Sequence, residues 1–198
     1  MPVTVVTGFL GAGKTTLIRE LLAKPEGANT AVIVNEFGEV GIDDALLRAS
    51  NDATVLLGNG CLCCAVRTDL QETLRTLFAE RGRGAAPNFE RVIIETSGLA
   101  DPGPVLQTIA GERALGDFYH LQGLVAVVDA PGGAANLDHT PEARQQVALA
   151  DRIVVMSANP GRIKTVLRPD LLRRRTDDIH ETQEFMKWTR MAREALQS

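Results

Sequence analysis

Short apolar runs alternate with apolar stripes at helical spacing along most of the chain. Val3-Thr4-Val5-Val6 is an extended, β-branched run, and Leu17, Ile18, Leu21 and Leu22 follow it at the spacing of one helix face. Thr30 to Asn35 (TAVIVN) predicts a second strand. Val55-Leu56-Leu57 predicts a third, ended by Gly58-Asn59-Gly60. Thr68-Asp69-Leu70-Gln71 reads as a capping box. The helix it opens carries Leu70, Leu74, Leu77 and Phe78 on one face and ends around Arg81-Gly82. Arg91 to Glu95 is a buried-type strand, and Asp101-Pro102-Gly103-Pro104 opens a helix with Val105, Leu106 and Ile109 apolar. Leu121 to Asp129 and Asp151 to Met156 are the remaining core strands, with a helix over 141–150 between them. Strands alternating with helices predict an α/β fold, a mostly parallel sheet covered by helices on both faces.

The loop after the first strand carries candidate chemistry. It reads GFLGAGKTT from Gly8 to Thr16 and matches G-x-x-x-x-G-K-[ST] at Gly8, Gly13, Lys14 and Thr15, with Gly11 and Ala12 between. Glycines let backbone N–H groups curl around a phosphate, and the N-terminus of the next helix adds partial positive charge. Lys14 can reach the β- and γ-phosphates, and the Thr15 hydroxyl can sit on Mg²⁺. The alternative reading is a plain glycine-rich turn between a strand and a helix.

Two further loops carry polar or thiol groups. Asn35-Glu36-Phe37-Gly38-Glu39-Val40-Gly41 is either a solvated acidic turn or a nucleotide-sensing loop. Cys61, Cys63 and Cys64 stand in C-x-C-C spacing after a glycine-rich turn. Three thiols so placed can converge on Zn²⁺ or Cu(I), leaving one tetrahedral position for a carboxylate, water or a partner's ligand. They can equally be small buried residues or redox sensors. Glu95, at a strand end, is placed to support Mg²⁺ and the attacking water, and Gly98 to sense a γ-phosphate.

Composition adds limits. With 198 residues the expectation is one domain, with room for an appendage. A net charge of −4 gives no reason to expect nucleic acid as a partner. No apolar run is long enough for a membrane span. The motif begins at Gly8, so a cleaved leader would destroy it. All three cysteines crowd one turn, which is no disulfide framework. The expected setting is the cytoplasm.

GFLGAGKTT, NEFGEVGIDD, GNGCLCC and ETSGLADPGP, in this order and spacing, resemble the CobW-type metallochaperone GTPases from about Val3 to Asp151. The resemblance implies a P-loop NTPase that hydrolyses GTP with Mg²⁺ and hands Zn²⁺, or cobalt or nickel, to a client metalloprotein. It implies that Gly8 to Thr16 bind phosphate, that Thr15 and Glu95 serve Mg²⁺, and that Cys61, Cys63 and Cys64 bind the cargo. It makes Lys14, Glu95 and Gly98 the catalytic candidates, and Glu36 and Glu39 candidate extra cargo ligands. His120, His139 and His180 match no motif.

The chain departs from that pattern near its end. Where the family places [NT]-K-x-D for guanine, it reads Met156-Ser157-Ala158-Asn159, so Ser157 replaces the lysine and Asn159 the aspartate. Leu149 to Ile163 resembles instead the late strand and hairpin of ABC-transporter ATPases of the nitrate, sulfonate and taurine import type. Residues 1–160 are expected to form the P-loop domain and 161–198 a tail. That tail would be a basic connector (Arg162, Lys164, Arg168, Arg173, Arg174, Arg175) and a helix over Asp178 to Leu196. A truncated, nucleotide-inactive metal-binding module is the alternative reading, and an ABC-type ATPase fragment a further one.

Overall fold

The computed structural model describes residues 1–35, 56–58, 66–111, 113–158, 160–169 and 190–191. β1 (Pro2–Thr7) lies in the middle of a seven-stranded sheet. It pairs in parallel with β4 (Arg91–Thr96) on one side and β5 (His120–Asp129) on the other. β2 (Thr30–Asn35) pairs with the far side of β4, and β3 (Leu56–Gly58) lies outside it. Beyond β5 come β6 (Arg152–Met156), parallel, and β7 (Ile163–Leu167), antiparallel.

The core follows from the two-residue period of strands packed on both faces. Val3, Val5, Ala31, Ile33, Val92, Ile94 and Leu124 face one way. There they meet α2 (Val66–Gly82) through Leu70, Leu74 and Leu77, α3 (Gly103–Gly111) through Val105 and Ile109, and α4 (Arg113–Gly116) through Leu115. Further along the same face, Ala126, Val128, Ile153 and Val155 pack on α5 (Gly133–His139) and α6 (Pro141–Ala148). Val6, Val32, Val34, Ile93, Val127, Val154 and Met156 face the other way and cover Ile18 of α1 (Lys14–Leu22). With both faces buried, the strands read as continuous apolar runs.

Several boundaries differ from the sequence reading. α2 begins at Val66, two residues before the predicted cap at Thr68, and α6 stops at Ala148 instead of Ala150. α5 has no apolar stripe long enough to announce it; of its seven residues only Gly133 and Leu137 are buried. β7 was expected as part of a basic connector. It is an edge strand instead, with Ile163, Lys164 and Val166 exposed. Charge is common on an edge, because only one side of such a strand is paired. Beyond Pro169 the predicted tail lies outside the described residues, save Arg190 and Met191, which are helical. His180 is outside them too, whereas His120 and His139 are exposed. No described helix is long and apolar enough to cross a membrane.

Candidate functional site

The parallel strands all end on one edge of the sheet, and the loop leaving β1 lies on that edge between β4 and β5. Such a point, where the chain departs to opposite sides of its starting strand, is where open α/β sheets form ligand crevices. Gly8 turns there with φ +143°, and a Cβ on it would stand 2.2 Å from the carbonyl oxygen of Val127. Only glycine lets the loop pass this close to β5. The loop tightens through the Ala12 N–H donating to the Phe9 carbonyl at 3.1 Å. Ala12 is buried, Gly13 is the N-cap of α1, and no side chain closes the first turn of that helix. The uncapped N–H groups and the helix dipole face the loop's hollow, the geometry of an anion site.

Lys14 is buried, and its Nζ donates to the carbonyls of Gly8 at 2.9 Å and Phe9 at 3.2 Å. The lysine therefore also braces the curve of its own loop, a role that the motif alone does not announce. Thr16 is exposed at the start of α1.

The pairing of Val6 with Glu95 brings the acid to the end of β4 beside the loop. Glu95 is 1% exposed, and its Oε1 accepts the Thr15 hydroxyl at 2.7 Å. A hydroxyl and a carboxylate in contact, both oxygen ligands, suit a hard cation such as Mg²⁺. One residue along, the Thr96 hydroxyl donates to that of Thr7 at 2.9 Å and ties β4 to β1 in the interior.

The chain after β4 turns back over the loop. Gly98 is buried, and a Cβ on it would stand 2.6 Å from the backbone nitrogen of Leu10. Backbone thus packs on backbone where the sequence reading placed a γ-phosphate sensor. Leu10 and Leu99, on either side of this contact, are 71% and 58% exposed. Gln146 on α6 is buried and donates to the carbonyls of Gly98 and Ala100. Sequence reasoning passed over it; a glutamine followed by Val147-Ala148 on a short helix was the available signal.

After β6 the chain closes a hairpin. The Ser157 N–H donates to the Arg162 carbonyl at 2.8 Å, its hydroxyl donates to the Pro160 carbonyl at 2.8 Å, and the Arg162 N–H donates back to that hydroxyl at 3.1 Å. The hairpin comes close to α1: a Cβ on Gly161 would stand 3.7 Å from Cγ2 of Thr16. Asn159 lies outside the described residues, as do Glu36, Glu39, Cys61, Cys63 and Cys64. β2 and β3 run parallel to their neighbours, so Asn35 and Gly58, from which the acidic and cysteine segments depart, sit on the same edge as the phosphate loop.

Comparison with known proteins agrees with this geometry. Residues 2–186 match the family model described as CobW/HypB/UreG, nucleotide-binding domain. The chain is 42% identical over 153 residues to the zinc chaperone YjiA of Escherichia coli (strain K12), covering 77% of this chain and 48% of that protein. It is 37% identical over 190 residues to the zinc chaperone CobW of Pseudomonas aeruginosa, covering 80% and 49%. The crystal structure of the Zn(II)-bound YjiA GTPase from E. coli superposes with a TM-score of 0.62 at 36% identity, over 78% of this chain and 48% of that one. The chain spans about half the length of the curated relatives it matches. A phosphate-type loop braced by Lys14, an acid on its threonine and a family match over residues 2–186 agree: the chain belongs to the CobW/HypB/UreG nucleotide-binding-domain family.

Proposed function

We propose that this chain is the nucleotide-binding part of a metal chaperone, which binds and hydrolyses GTP with Mg²⁺ and hands Zn²⁺, or cobalt or nickel, to a client metalloprotein. The observation that carries the reading is the Thr15 hydroxyl on the Glu95 carboxylate at 2.7 Å, beside the buried Lys14 at the open end of α1. Gly8, Gly11, Ala12, Gly13, Lys14, Thr15 and Thr16 would cradle the phosphates through backbone N–H groups, the ammonium and a hydroxyl. Thr15 and Glu95 would hold Mg²⁺, which neutralises phosphate charge when bound. Gly98 would meet the γ-phosphate at the turn that rests on Leu10. Cys61, Cys63 and Cys64 would take the cargo metal, with Glu36 and Glu39 as further ligands. The names of the zinc-chaperone relatives support zinc as cargo. Thiolate ligation requires reduced cysteines, which supports a cytoplasmic setting.

The likeness of Leu149 to Ile163 to import-type ABC ATPases belongs to this proposal as a local feature. It concerns the hairpin after β6, which stands where GTPases of this family carry their guanine loop.

Two measurements on the purified chain test the reading. GTP turnover should need Mg²⁺ and stop with a chelator of divalent cations. A chromophoric-chelator titration should find one tight Zn²⁺ per chain, weakened strongly by Cys63→Ser or Cys64→Ser and tighter at higher pH as thiols lose protons. No Mg²⁺-dependent turnover would sink the enzymatic half, and unchanged zinc affinity in both variants the metal half.

A further inference from the structure

Gln146 is 1% exposed on α6 and uses one amide group on two partners. Its Nε2 donates to the Gly98 carbonyl at 3.1 Å and to the Ala100 carbonyl at 3.0 Å. These carbonyls flank Leu99 in the turn after β4, which the Ala100 N–H closes by donating to the Ser97 carbonyl at 3.1 Å. We propose that Gln146 is a positioning residue that sets the orientation of the Ser97–Ala100 turn, and so aims the Gly98 N–H at the terminal phosphate of a bound nucleoside triphosphate.

A carbonyl lies in the plane of its peptide, so Gln146 fixes the Gly98–Leu99 plane inside the turn and the Ala100–Asp101 plane just beyond it. The Ala100 N–H on the Ser97 carbonyl fixes the Ser97–Gly98 plane, which carries the Gly98 N–H. Backbone contact with Leu10 seats the same turn on the phosphate loop from the other side. The turn is thus held between α6 and the loop. α6 also reaches the loop directly, because Ala143, Gln146 and Val147 line a narrow crevice with Gly8 and Phe9. Both Nε2 hydrogens are engaged, which fixes the amide's orientation: the amide oxygen, an acceptor, could serve neither carbonyl.

The inference rests on the reading of this site as a triphosphate site. An amide that merely fills a buried position would affect diphosphate and triphosphate binding alike. A positioning residue would affect the triphosphate alone, since only its terminal phosphate meets the turn.

The test uses the full chain and two variants, each sufficient alone. Gln146→Met keeps the volume and removes the donors. Gln146→Glu keeps the shape and puts an oxygen where the donors were. The probes are a fluorescent GDP and a non-hydrolysable fluorescent GTP analogue, with amide hydrogen exchange at Leu99 and Ala100. The preference for triphosphate over diphosphate should fall by about tenfold, with GDP affinity within about twofold, because a lost hydrogen bond is worth on the order of one decade. Exchange at Leu99 and Ala100 should quicken by a similar factor. An unchanged preference, or an equal loss of both nucleotides, overturns the proposal, as does unchanged exchange. Wild-type protein that binds no triphosphate would instead count against the proposed function, and exchange would still decide whether Gln146 holds the turn.

Discussion

Thr15 and Glu95 stand 80 positions apart, and the threonine hydroxyl donates to the glutamate Oε1 at 2.7 Å. The contact joins the first turn of α1 to the end of β4. It exists because β1 and β4 are parallel neighbours with Val6 opposite Glu95. A buried carboxylate is costly without partners, and here a partner is supplied by the residue next to Lys14. The loop, the Thr15–Glu95 pair and the strand ends are therefore assembled by one pairing register.

Lys14→Ala should abolish or greatly weaken triphosphate binding. A hydrogen bond to a charged group is worth roughly 1.5–3 kcal/mol, about one to two decades of affinity. Because Nζ also holds the Gly8 and Phe9 carbonyls, the melting temperature should drop by a few degrees, near 2–4 °C per kcal/mol for a chain of this size. Titration with a fluorescent triphosphate and a thermal melt read both effects. Equal affinity in the two proteins would remove the lysine from the site.

Gly98→Ala should cut hydrolysis while leaving the fold in place. The new Cβ would press on the backbone nitrogen of Leu10 at 2.6 Å, so the turn and the loop must part. Overpacking of this kind costs about 1–3 kcal/mol, or one to two decades if it falls on the transition state. Single-turnover hydrolysis measures it, and a rate equal to wild type would show that the contact has no bearing on turnover.

Tyr119→Phe tests a buried hydroxyl away from the site. The Tyr119 hydroxyl donates to the Leu74 carbonyl at 3.0 Å. Burial pushes its pKa well above the usual phenol value, against a smaller opposing influence of Arg81. The protonated form is thus favoured in the folded state. Its stabilising contribution is fully present below the unfolded pKa, near 10, and is lost as pH rises beyond it. At neutral pH the variant should lose about 0.5–1.5 kcal/mol. Above about pH 10 it should lose stability less steeply than wild type. Denaturant midpoints across that range decide the matter, and parallel curves would show that the phenol ionises equally in both states.

Base choice should be loose. Guanine selectivity needs a carboxylate that accepts two hydrogen bonds from the base edge, and the sequence offers Asn159 there. The Ser157 hydroxyl, in place of the family's lysine, is engaged with Pro160 and Arg162 inside the hairpin. Competition of ATP against a fluorescent GTP analogue should show a preference for GTP below about a hundredfold, some 2.7 kcal/mol. A larger preference would mean that another residue supplies the missing contact.

The amino-acid sequence by itself determined the six parallel strands, the phosphate loop and the family. TAVIVN is a strand on its own evidence, because both faces of a parallel sheet demand apolar side chains and β-branched residues suit them. G-x-x-x-x-G-K-[ST] is legible because its chemistry is local: glycines, lysine and threonine act within one turn of backbone. Only the tertiary structure decided what depends on distant partners. α5 is short and carries no apolar stripe, so β5 and α6 must be in place before its Leu137 has anything to bury against. β7 looked like a basic connector because an edge strand shows water one of its sides, and the pairing of Val155 with Thr165 is invisible in composition. Gln146 was passed over for the same reason. Its hydrogen bonds reach carbonyls 48 and 46 positions away, and a backbone carbonyl leaves no mark on the sequence. Local chemistry is written in residue types, whereas the contacts that aim it are set by strand register and by where the chain folds back.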